Sequence, residues 1–441
     1  MQKISKYTKR IPIAINYKYK KYILFLFANI LLCWGCAREQ GCTDPSALNF
    51  NPDAEGNDGS CVYQLAELPT TYAFSRYQSS SVNKKQETVT QLRIADLYAL
   101  LRQLGETGAT ADIAATLVAR YTKGDDQAIV LTTGTYAPLQ DTYNDIASGV
   151  VLRSRISNTY GADSLVSAWL DTIAIRAQLP QYIATPAVYT LDNGIDLAEW
   201  VCQTLRGAVL YAQGTSRLKA LNNANNADLV SGTNYTAMEQ QWDGIAGLFG
   251  LAIDDTQHNP NQAFFDADDD GTIDYDTEYA YSWAQDALVR SAAAPDTDFR
   301  TLLEAKLIEG RAAITGRNDT LRIAAKNEIL RLWEQLAAAN TIHYANNLLA
   351  LLPNSSGAGD PNLPFLNKAW AALRGSIETL RYKNGHALSS EMDTLLALVG
   401  NTPPHAAMGT PENTAAQTQI AELKQRIGNA YSFSAVQLQN W

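Results

Sequence analysis

Helical periodicity from Gln91 to the end of the chain is the feature that most restricts the fold. Apolar residues recur every three or four positions in a series of alanine-rich, weakly charged segments. Three of these segments read SLVSAWLDTIAIRAQL, FRTLLEAKLIEGRAAI and NKAWAALRGSIETLRY. Helices of this kind must bury wide faces against one another, and no long stretch alternates apolar and polar residues as a strand would. The pattern therefore predicts an all-α fold.

Chain length indicates how these helices are grouped. About 370 residues follow position 70, whereas a single hydrophobic core stops growing at roughly 250–300 residues. We therefore predict a helical domain over 71–441 in two packed halves, about 71–255 and 277–441. A connecting segment at 256–276 is rich in acidic residues and separates the two halves.

The first 35 residues predict export. They contain seven basic residues, no acidic one, and the apolar run YILFLFANILL. This run is shorter than the roughly 20 residues of a membrane-spanning helix, so we interpret residues 1–35 as a signal peptide. Gly35 before Cys36 resembles the small residue that precedes a lipidated cysteine, although Cys33 stands where leucine is usual. We predict lipidation at Cys36; the alternative is simple secretion with cleavage nearby.

Charge after removal of the signal peptide excludes some partners. Without the seven basic residues of the leader, 28 basic residues remain against 45 acidic ones, a formal net charge of −17. A surface of this charge repels nucleic acid and anionic lipid headgroups. We therefore expect no nucleic-acid partner, and we expect the lipid anchor to supply the membrane attachment.

Cysteine positions predict one disulfide. If Cys33 leaves with the leader and Cys36 is lipidated, then Cys42 and Cys61 remain as a natural pair in a compartment that permits disulfides. They enclose a polar, turn-rich segment that resembles the short cysteine-bounded modules following the lipid anchor of envelope proteins. We predict that residues 36–70 form a spacer closed by this disulfide. The remaining Cys202 is interpreted as a buried apolar residue rather than a reactive thiol.

The segment FFDADDDGTIDYDTEY resembles a calcium loop in its spacing. Carboxylates on alternate positions, a glycine at the sixth position and a backbone carbonyl at the seventh are the arrangement that surrounds calcium with oxygen ligands. The predicted ligands are Asp266, Asp268, Asp270, the carbonyl of Thr272, Asp274 and Glu278. Glu278 stands one place after the usual twelfth-position carboxylate, where this chain has Thr277, and Asp274 or Asp276 is the alternative substitute for that ligand. The alternative is a solvated acidic turn in which Asp274 or Asp276 caps a helix that begins near Glu278.

Several aromatic and polar motifs resemble those of an uncharacterised family of envelope lipoproteins. The motifs are Tyr72 to Arg76, Tyr235 to Gly250 with its Trp242-Asp243 pair, the acidic loop, Trp333-Glu334, Thr341 to Asn346, and Trp370 to Tyr382. The family is similar in helical style to the imelysins. The resemblance runs from about Tyr72 to Gly400, and it implies an imelysin-like helical fold. It also implies a role near iron or haem acquisition, with an imelysin or an outer-membrane receptor as partner.

This chain departs from the family at one helix. Where members usually carry His-His-Trp-Asp-Glu-Ala, it reads Gln240, Gln241, Trp242 and Asp243 followed by Gly-Ile. The resemblance implies a candidate ligand site formed by Gln240, Gln241, Asp243 and His343. A hydrogen-bonded core or interface position is the alternative for His343. For Trp242 and Asp243 the alternative is helix packing, with Asp243 as a buried cap or salt-bridge partner.

Enzyme motifs are absent from the sequence. A zinc peptidase needs two histidines one helical turn apart and a carboxylate that activates water. None of the four histidines begins such a motif, and no Gly-x-Ser-x-Gly elbow follows an apolar strand. We therefore expect no enzyme, and no catalytic residue is predicted.

These observations together predict a lipid-anchored, non-enzymatic binding or accessory protein of a Gram-negative envelope. It is expected at the outer membrane, with calcium in the acidic loop and a role in iron or haem acquisition. The alternative is a surface lipoprotein that binds a glycan or a partner protein and has no connection with iron.

Overall fold

A computed structural model describes most of the chain in two compact units. The described residues are 39–44, 47–62, 68–108, 112–124, 149–254 and 258–441. The first unit ends at Cys61, and the second runs from Val62 to Trp441. The signal peptide and Cys36 lie outside the described residues, so lipidation stays a prediction. The second unit is mostly helical, which confirms the all-α class.

The first unit contains the predicted disulfide. Strand β1 (Gln40–Gly41) pairs in parallel with β2 (Gly56–Asn57). Beside this pair, Cys42 and Cys61 are bonded through their sulfur atoms at 2.04 Å. Both cysteines are buried. The predicted pairing is therefore confirmed, and the two cysteines close a loop with a sequence separation of 19.

The second unit begins with a short hairpin and continues as helices. In the hairpin, β3 (Ser75–Arg76) is antiparallel to β4 (Ser79–Ser80). The first helices are α1 (Lys85–Thr107), α2 (Ile113–Thr122), α3 (Leu152–Arg155), α4 (Ala162–Arg176), α5 (Leu197–Leu205), α6 (Ala212–Ala220) and α7 (Ala237–Phe249). The later helices are α8 (Ser282–Ala293), α9 (Phe299–Thr315), α10 (Asp319–Leu351), α11 (Leu363–Leu380), α12 (Met392–Val399), α13 (Pro411–Tyr431) and α14 (Ala435–Asn440).

A π-helical segment, Arg206–Tyr211, joins α5 to α6 without a break. Helix α11 passes close to it: a Cβ atom on Gly207 would lie 2.6 Å from the hydroxyl oxygen of Thr379. Single π-helical turns are rare and often lie at functional sites.

Helix α10 is the longest helix of the described residues and contacts α9, α11 and α13. Its 33 residues include the fully buried Trp333, which packs edge-on against Phe249. Its sequence also contains charged residues such as Glu334, so the helix is not apolar throughout. Within the part of the chain that is described, no helix is long and apolar enough to cross a membrane.

One hydrophobic cluster runs through the second unit, on both sides of the acidic segment. Helix α7 precedes that segment and α9 follows it, yet the two helices are in contact. The indole nitrogen of Trp242 donates a hydrogen bond to the carbonyl of Leu307 at 2.8 Å. A side chain at Gly310 would collide with the same indole, so glycine permits this approach. The predicted division into two halves is not confirmed, because the helices share one core.

Candidate metal centre

Backbone hydrogen bonds close the base of the acidic loop. The amide of Phe265 donates to the carbonyl of Glu278 at 3.0 Å, and the amide of Ala280 donates to the carbonyl of Ala263 at 2.6 Å. Phe264 and Tyr279 form an isolated antiparallel bridge, with their rings stacked 6.0 Å apart. These bonds bring the two ends of the loop together, so residues 266 and 278 become neighbours.

Inside the loop, carboxylates accept hydrogen bonds from the backbone. Asp266 accepts from the amide of Asp270 at 3.2 Å and from the amide of Gly271 at 3.0 Å. Gly271 has a φ of +82°, a left-handed conformation that glycine adopts without strain. Ile273, two residues after Gly271, is fully buried. The sixth-position glycine therefore has the role that the sequence pattern predicted for it.

Three carboxylates of the predicted ligand set come together. One oxygen each from Asp266, Asp268 and Glu278 lies within 4.8 Å of the other two. Calcium binds oxygen at 2.3–2.6 Å, so ligands on opposite sides of one ion are about 4.8 Å apart. The separation of these three oxygens is therefore compatible with a single ion. The chemistry of the donor set also fits, because all three ligands are hard oxygen atoms.

Glu278 takes part in the cluster from the thirteenth position. It is 4% exposed, and its two oxygens accept hydrogen bonds from the amides of Ala267 and Asp274, each at 2.8 Å. Burial raises the pKa of Glu278, and the negative charges of Asp268 and Asp266 raise it further. Negative charge is thus concentrated at this point of the loop, where a cation would be favoured.

The other predicted ligands make local contacts. Asp270 accepts hydrogen bonds from both the amide and the hydroxyl of Thr272, at 2.8 Å and 2.7 Å. Asp274 accepts from the amide of Asp276 at 2.7 Å. Asp270 and Asp274 are not members of the three-carboxylate cluster, and the predicted ligand of Thr272 is a backbone carbonyl rather than a carboxylate. Their role as ligands remains a prediction.

A helix does not begin near Glu278, as the alternative interpretation assumed. Helix α8 begins at Ser282, and Tyr281 at its N-cap makes no side-chain capping bond. The expected helix start was wrong because Tyr279 pairs with Phe264 in an antiparallel bridge before the helix begins. Neither Asp274 nor Asp276 therefore caps that helix.

Contacts of the loop reach the start of α1. The side-chain nitrogen of Lys84 donates to the carbonyl of Asp276 and lies 3.6 Å from a carboxylate oxygen of the same residue. The hydroxyl of Thr88 donates to the Asp276 carboxylate at 2.8 Å. Lys84 is 1% exposed. Because Lys84 and Thr88 lie at the start of a long helix, the conformation of the loop is coupled to the helical unit.

A second cluster of charged groups lies in the core and includes Asp243. On α7, Glu239 and Asp243 are fully buried. Arg311 on α9 donates to Glu239 at 2.8 Å and to Asp243 at 2.9 Å. Arg76 donates to Glu239 at 3.0 Å, and the hydroxyl of Tyr72 donates to Asp243 at 2.8 Å. The carboxylates are therefore paired within the protein.

Two arginines decide the protonation of Glu239. Burial opposes ionisation of this carboxyl, yet the guanidinium groups of Arg311 and Arg76 outweigh it and lower its pKa to about 2. Glu239 also completes a capping box with Thr236 at the start of α7. Sequence reasoning did not identify Arg76 or Arg311 as partners, since both are distant from α7 along the chain.

The remaining residues of the candidate ligand site lie in other surroundings. Gln240 and Gln241 line a polar hollow of about 600 Å³. His343 on α10 lies with its Nε2 atom 3.0 Å from the side-chain nitrogen of Asn347. Burial, and next the charge of Arg290, lower the pKa of His343 to about 4, so its imidazole is neutral at pH 7. No hydrogen bond or ion pair among the described residues links His343 to Asp243.

Cys202 is the free cysteine of the described residues and is half-buried. Burial, and next the negative charge of Glu199, raise the pKa of its thiol to about 12. A thiol with this pKa is protonated at neutral pH and is a poor nucleophile. The raised pKa agrees with an unreactive thiol, whereas the predicted burial is only partial.

The chain was compared with models of protein families, with characterised proteins and with solved structures. None of the three comparisons finds a match. The resemblance to imelysin-like envelope lipoproteins therefore stays a prediction from the sequence motifs.

Proposed function

We propose that this protein is a lipid-anchored, non-enzymatic binding or accessory protein of a Gram-negative envelope, with a calcium ion that stabilises its helical unit. The observation that carries the calcium part is the convergence of Asp266, Asp268 and Glu278. The envelope part is supported by the basic, apolar leader of the sequence. It is also supported by the Cys42–Cys61 disulfide, which belongs in an oxidising compartment.

Calcium is favoured over other common metal ions by the chemistry of the cluster. Zinc sites in proteins use cysteine and histidine, and neither residue type is a member of the cluster. Magnesium demands an octahedral site at 2.0–2.1 Å and retains several waters. A loop with alternate aspartates and a sixth-position glycine provides the larger, more flexible site that calcium takes.

The site has a structural role in this proposal. Asp276 in the loop contacts Lys84 and Thr88 at the start of α1. On the other side, the hydroxyl of Tyr281 donates to the carbonyl of Tyr275 at 2.9 Å, next to the start of α8. Neutralising the loop carboxylates would therefore order the connection between two helices of one core.

A binding role is preferred to catalysis because the core carboxylates are occupied. Glu239 and Asp243 are fully buried, and both form ion pairs with Arg311. A general acid or base must reach a substrate within hydrogen-bond distance. We therefore assign these two residues to stability.

The role in iron or haem acquisition, with an imelysin or outer-membrane receptor as partner, is supported by the sequence resemblance. Asp243 accepts hydrogen bonds from Tyr72, Arg311 and the amide of Asn83. An iron or haem ligand set would have to be built from other residues, such as His343. Addition of haem to the purified chain tests this directly, and an unchanged haem absorption spectrum would contradict it.

The calcium proposal is tested by calorimetry and thermal melting of the full chain. Wild-type protein freed of metal by EDTA is expected to bind calcium and to melt at a higher temperature in its presence. At 100 times the dissociation constant the stabilisation is about 2.7 kcal/mol. Asp266→Asn is expected to abolish the shift, whereas Asp296→Asn, at an exposed residue outside the loop, should retain it. No calcium binding at millimolar concentration would overturn the proposal.

A further inference from the structure

A cleft of about 690 Å³ lies on the helical unit, and no residue of the acidic loop lines it. Three segments frame it: residues 154–159 after the start of α3, the exposed face of α6, and residues 381–384 after α11. Ligand sites in proteins commonly have volumes of about 300–1,000 Å³. The cleft is therefore large enough for a small ligand.

Positive charge distinguishes this cleft from the rest of an acidic chain, whose formal net charge is −10. The cationic side chains that line it are Arg155, Arg217, Lys219 and Arg381. No carboxylate lines it among the described residues. A concave site lined by one sign of charge concentrates ligands of the opposite sign. The cleft is thus suited to an anion.

Pairing within the protein neutralises only part of this charge. Arg155 and Arg217 share a single carboxylate, Glu87, at 3.5 Å and 2.8 Å. Glu87 lines the neighbouring polar hollow. Lys219 and Arg381 form no ion pair with a carboxylate among the described residues. These two cations therefore provide the charge that no direct ion pair compensates.

Lys219 and Arg381 are both held in position. The side-chain nitrogen of Lys219 donates to the carbonyl of Asn384 at 3.0 Å. The guanidinium carbon of Arg381 lies 4.7 Å from the centre of the Tyr160 ring. The close approach of α11 to the π-helical segment at Gly207 brings the end of α11 toward α6. The charges are therefore arranged by the fold before any ligand binds.

Lys219 is in surroundings that disfavour its charge. Burial lowers its pKa, and the positive charge of Lys383 lowers it further, while the carboxylate of Glu334, which pairs with Lys383, raises it in part. A bound anion would relieve this repulsion. This electrostatic effect adds to the geometric evidence, which is that four cationic side chains line one cleft.

Hydroxyl groups and aromatic rings complete the lining. The hydroxyl of Ser157 donates to that of Thr159 at 2.9 Å, and Ser216 is a further lining residue. Tyr382 lines the cleft and meets Tyr160 edge-on, with the ring centres 5.8 Å apart. Hydroxyls suit the alcohol groups of a sugar, and tyrosine offers an apolar face with a polar end. Arginine binds carboxylate and sulfate groups with two parallel hydrogen bonds.

We propose that this cleft binds an acidic saccharide, one that carries carboxylate or sulfate groups. The inference rests on the binding role proposed above and specifies the class of ligand for it. Arg381 and Lys219 contact the anionic groups, while the hydroxyls and Tyr382 contact the sugar ring.

Isothermal titration of the full chain tests the proposal with four probes. They are a chondroitin sulfate tetrasaccharide, a hyaluronan tetrasaccharide, the neutral chitotetraose and inorganic sulfate. The acidic saccharides are expected to bind, with an affinity that falls as salt is raised, and chitotetraose is not. No binding of either acidic saccharide at millimolar concentration would overturn the proposal. Equal affinity for inorganic sulfate would show an adventitious ion only and would also overturn it.

Matched variants separate the cleft from general charge effects. Lys219→Gln combined with Arg381→Gln is expected to weaken saccharide binding by about tenfold or more, since two charged hydrogen-bond donors to the anionic groups are lost. Lys368→Gln combined with Arg331→Gln removes the same charge from residues outside the cleft and should leave binding within about twofold. Equal losses in both double variants would contradict the assignment.

The same samples distinguish this inference from the calcium proposal. Calcium binding that persists without saccharide binding would overturn the cleft alone. Saccharide binding that persists in Asp266→Asn would support the cleft even if that variant binds no calcium. The two sites share no lining residue.

Discussion

The Nε atom of Arg311 donates a hydrogen bond to the carboxylate of Asp243 at 2.9 Å, and both side chains are fully buried. The pair joins α9 to α7. In the sequence, α7 precedes the acidic segment and α9 follows it. Loss of one partner of a buried ion pair lowers the stability of the fold strongly, because the remaining charge stays buried without its partner. Arg311 is therefore a key residue for the stability of the core.

Replacement of this arginine gives the first prediction. We expect Arg311→Met to destabilise the helical unit by about 3–5 kcal/mol, because it leaves Glu239 and Asp243 with fewer partners. Arg331→Met is the control, since Arg331 is exposed and pairs with Glu328; it should cost less than about 1 kcal/mol. Urea unfolding followed by circular dichroism measures both. Equal midpoints for the two variants would contradict this account of the core.

A second prediction concerns the thirteenth position of the acidic loop. Glu278→Gln should remove the calcium-induced rise in melting temperature, because it takes one of three converging carboxylates from the cluster. Asp274→Asn should retain part of the rise, since Asp274 is not in that cluster. Differential scanning calorimetry with and without calcium measures each shift. If Glu278→Gln kept the full rise in melting temperature and Asp274→Asn lost it, the third carboxylate ligand would be Asp274, at the ninth position, instead of Glu278.

The effect of calcium should also depend on pH. The pKa of Glu278 is raised in the fold, so without calcium the folded state binds its proton more tightly than the unfolded state does. As pH rises from the unfolded pKa of Glu278 to its folded pKa, this group therefore lowers the free energy of unfolding. Bound calcium compensates for the negative charge that forms on its carboxylate. The calcium-induced shift should be largest near pH 7 and small near pH 4. A shift of equal size at both pH values would contradict this linkage.

Glu239 responds to pH in the opposite direction. Its folded pKa of about 2 lies below the ordinary value of 4.5, so its contribution is fully present above the unfolded pKa. That contribution is lost as pH falls from about 4.5 toward 2. In EDTA, wild-type stability should therefore fall in this range, and the fall should be smaller in Glu239→Gln. Urea midpoints between pH 5 and pH 2.5 measure the difference; identical slopes would contradict it.

The last prediction concerns the anchor. Cys36→Ala should release the protein from membranes into the soluble fraction, because lipidation with two chains is what gives stable attachment. Cys33→Ala is the control and should leave the protein in the membrane fraction. Fractionation of cells that express each variant measures the result. Membrane attachment of Cys36→Ala equal to wild type would contradict lipidation at this residue.

Local pattern was sufficient for several features of this protein. The three- and four-residue spacing of apolar side chains predicted the helices, because a helix brings those positions onto one face. Alternate aspartates around Gly271 predicted a turn with converging oxygens, and the structure brings Asp266 and Asp268 together. The pairing of Cys42 with Cys61 followed from the cysteines that remained after export. In each case the interacting residues are near one another in the sequence.

Other features were decided only by the packing of distant segments. Arg311 meets Asp243 across a sequence separation of 68, and Arg76 meets Glu239 across 163. Helices α7 and α9 share one core, a contact that their own periodicity could not specify because an amphipathic face does not identify its partner. The cationic cleft arises in the same way, since Arg155, Lys219 and Arg381 belong to three segments that only the tertiary structure places together. Sequence determined which residues were helical or acidic, and the long-range packing of the core decided which charges became neighbours.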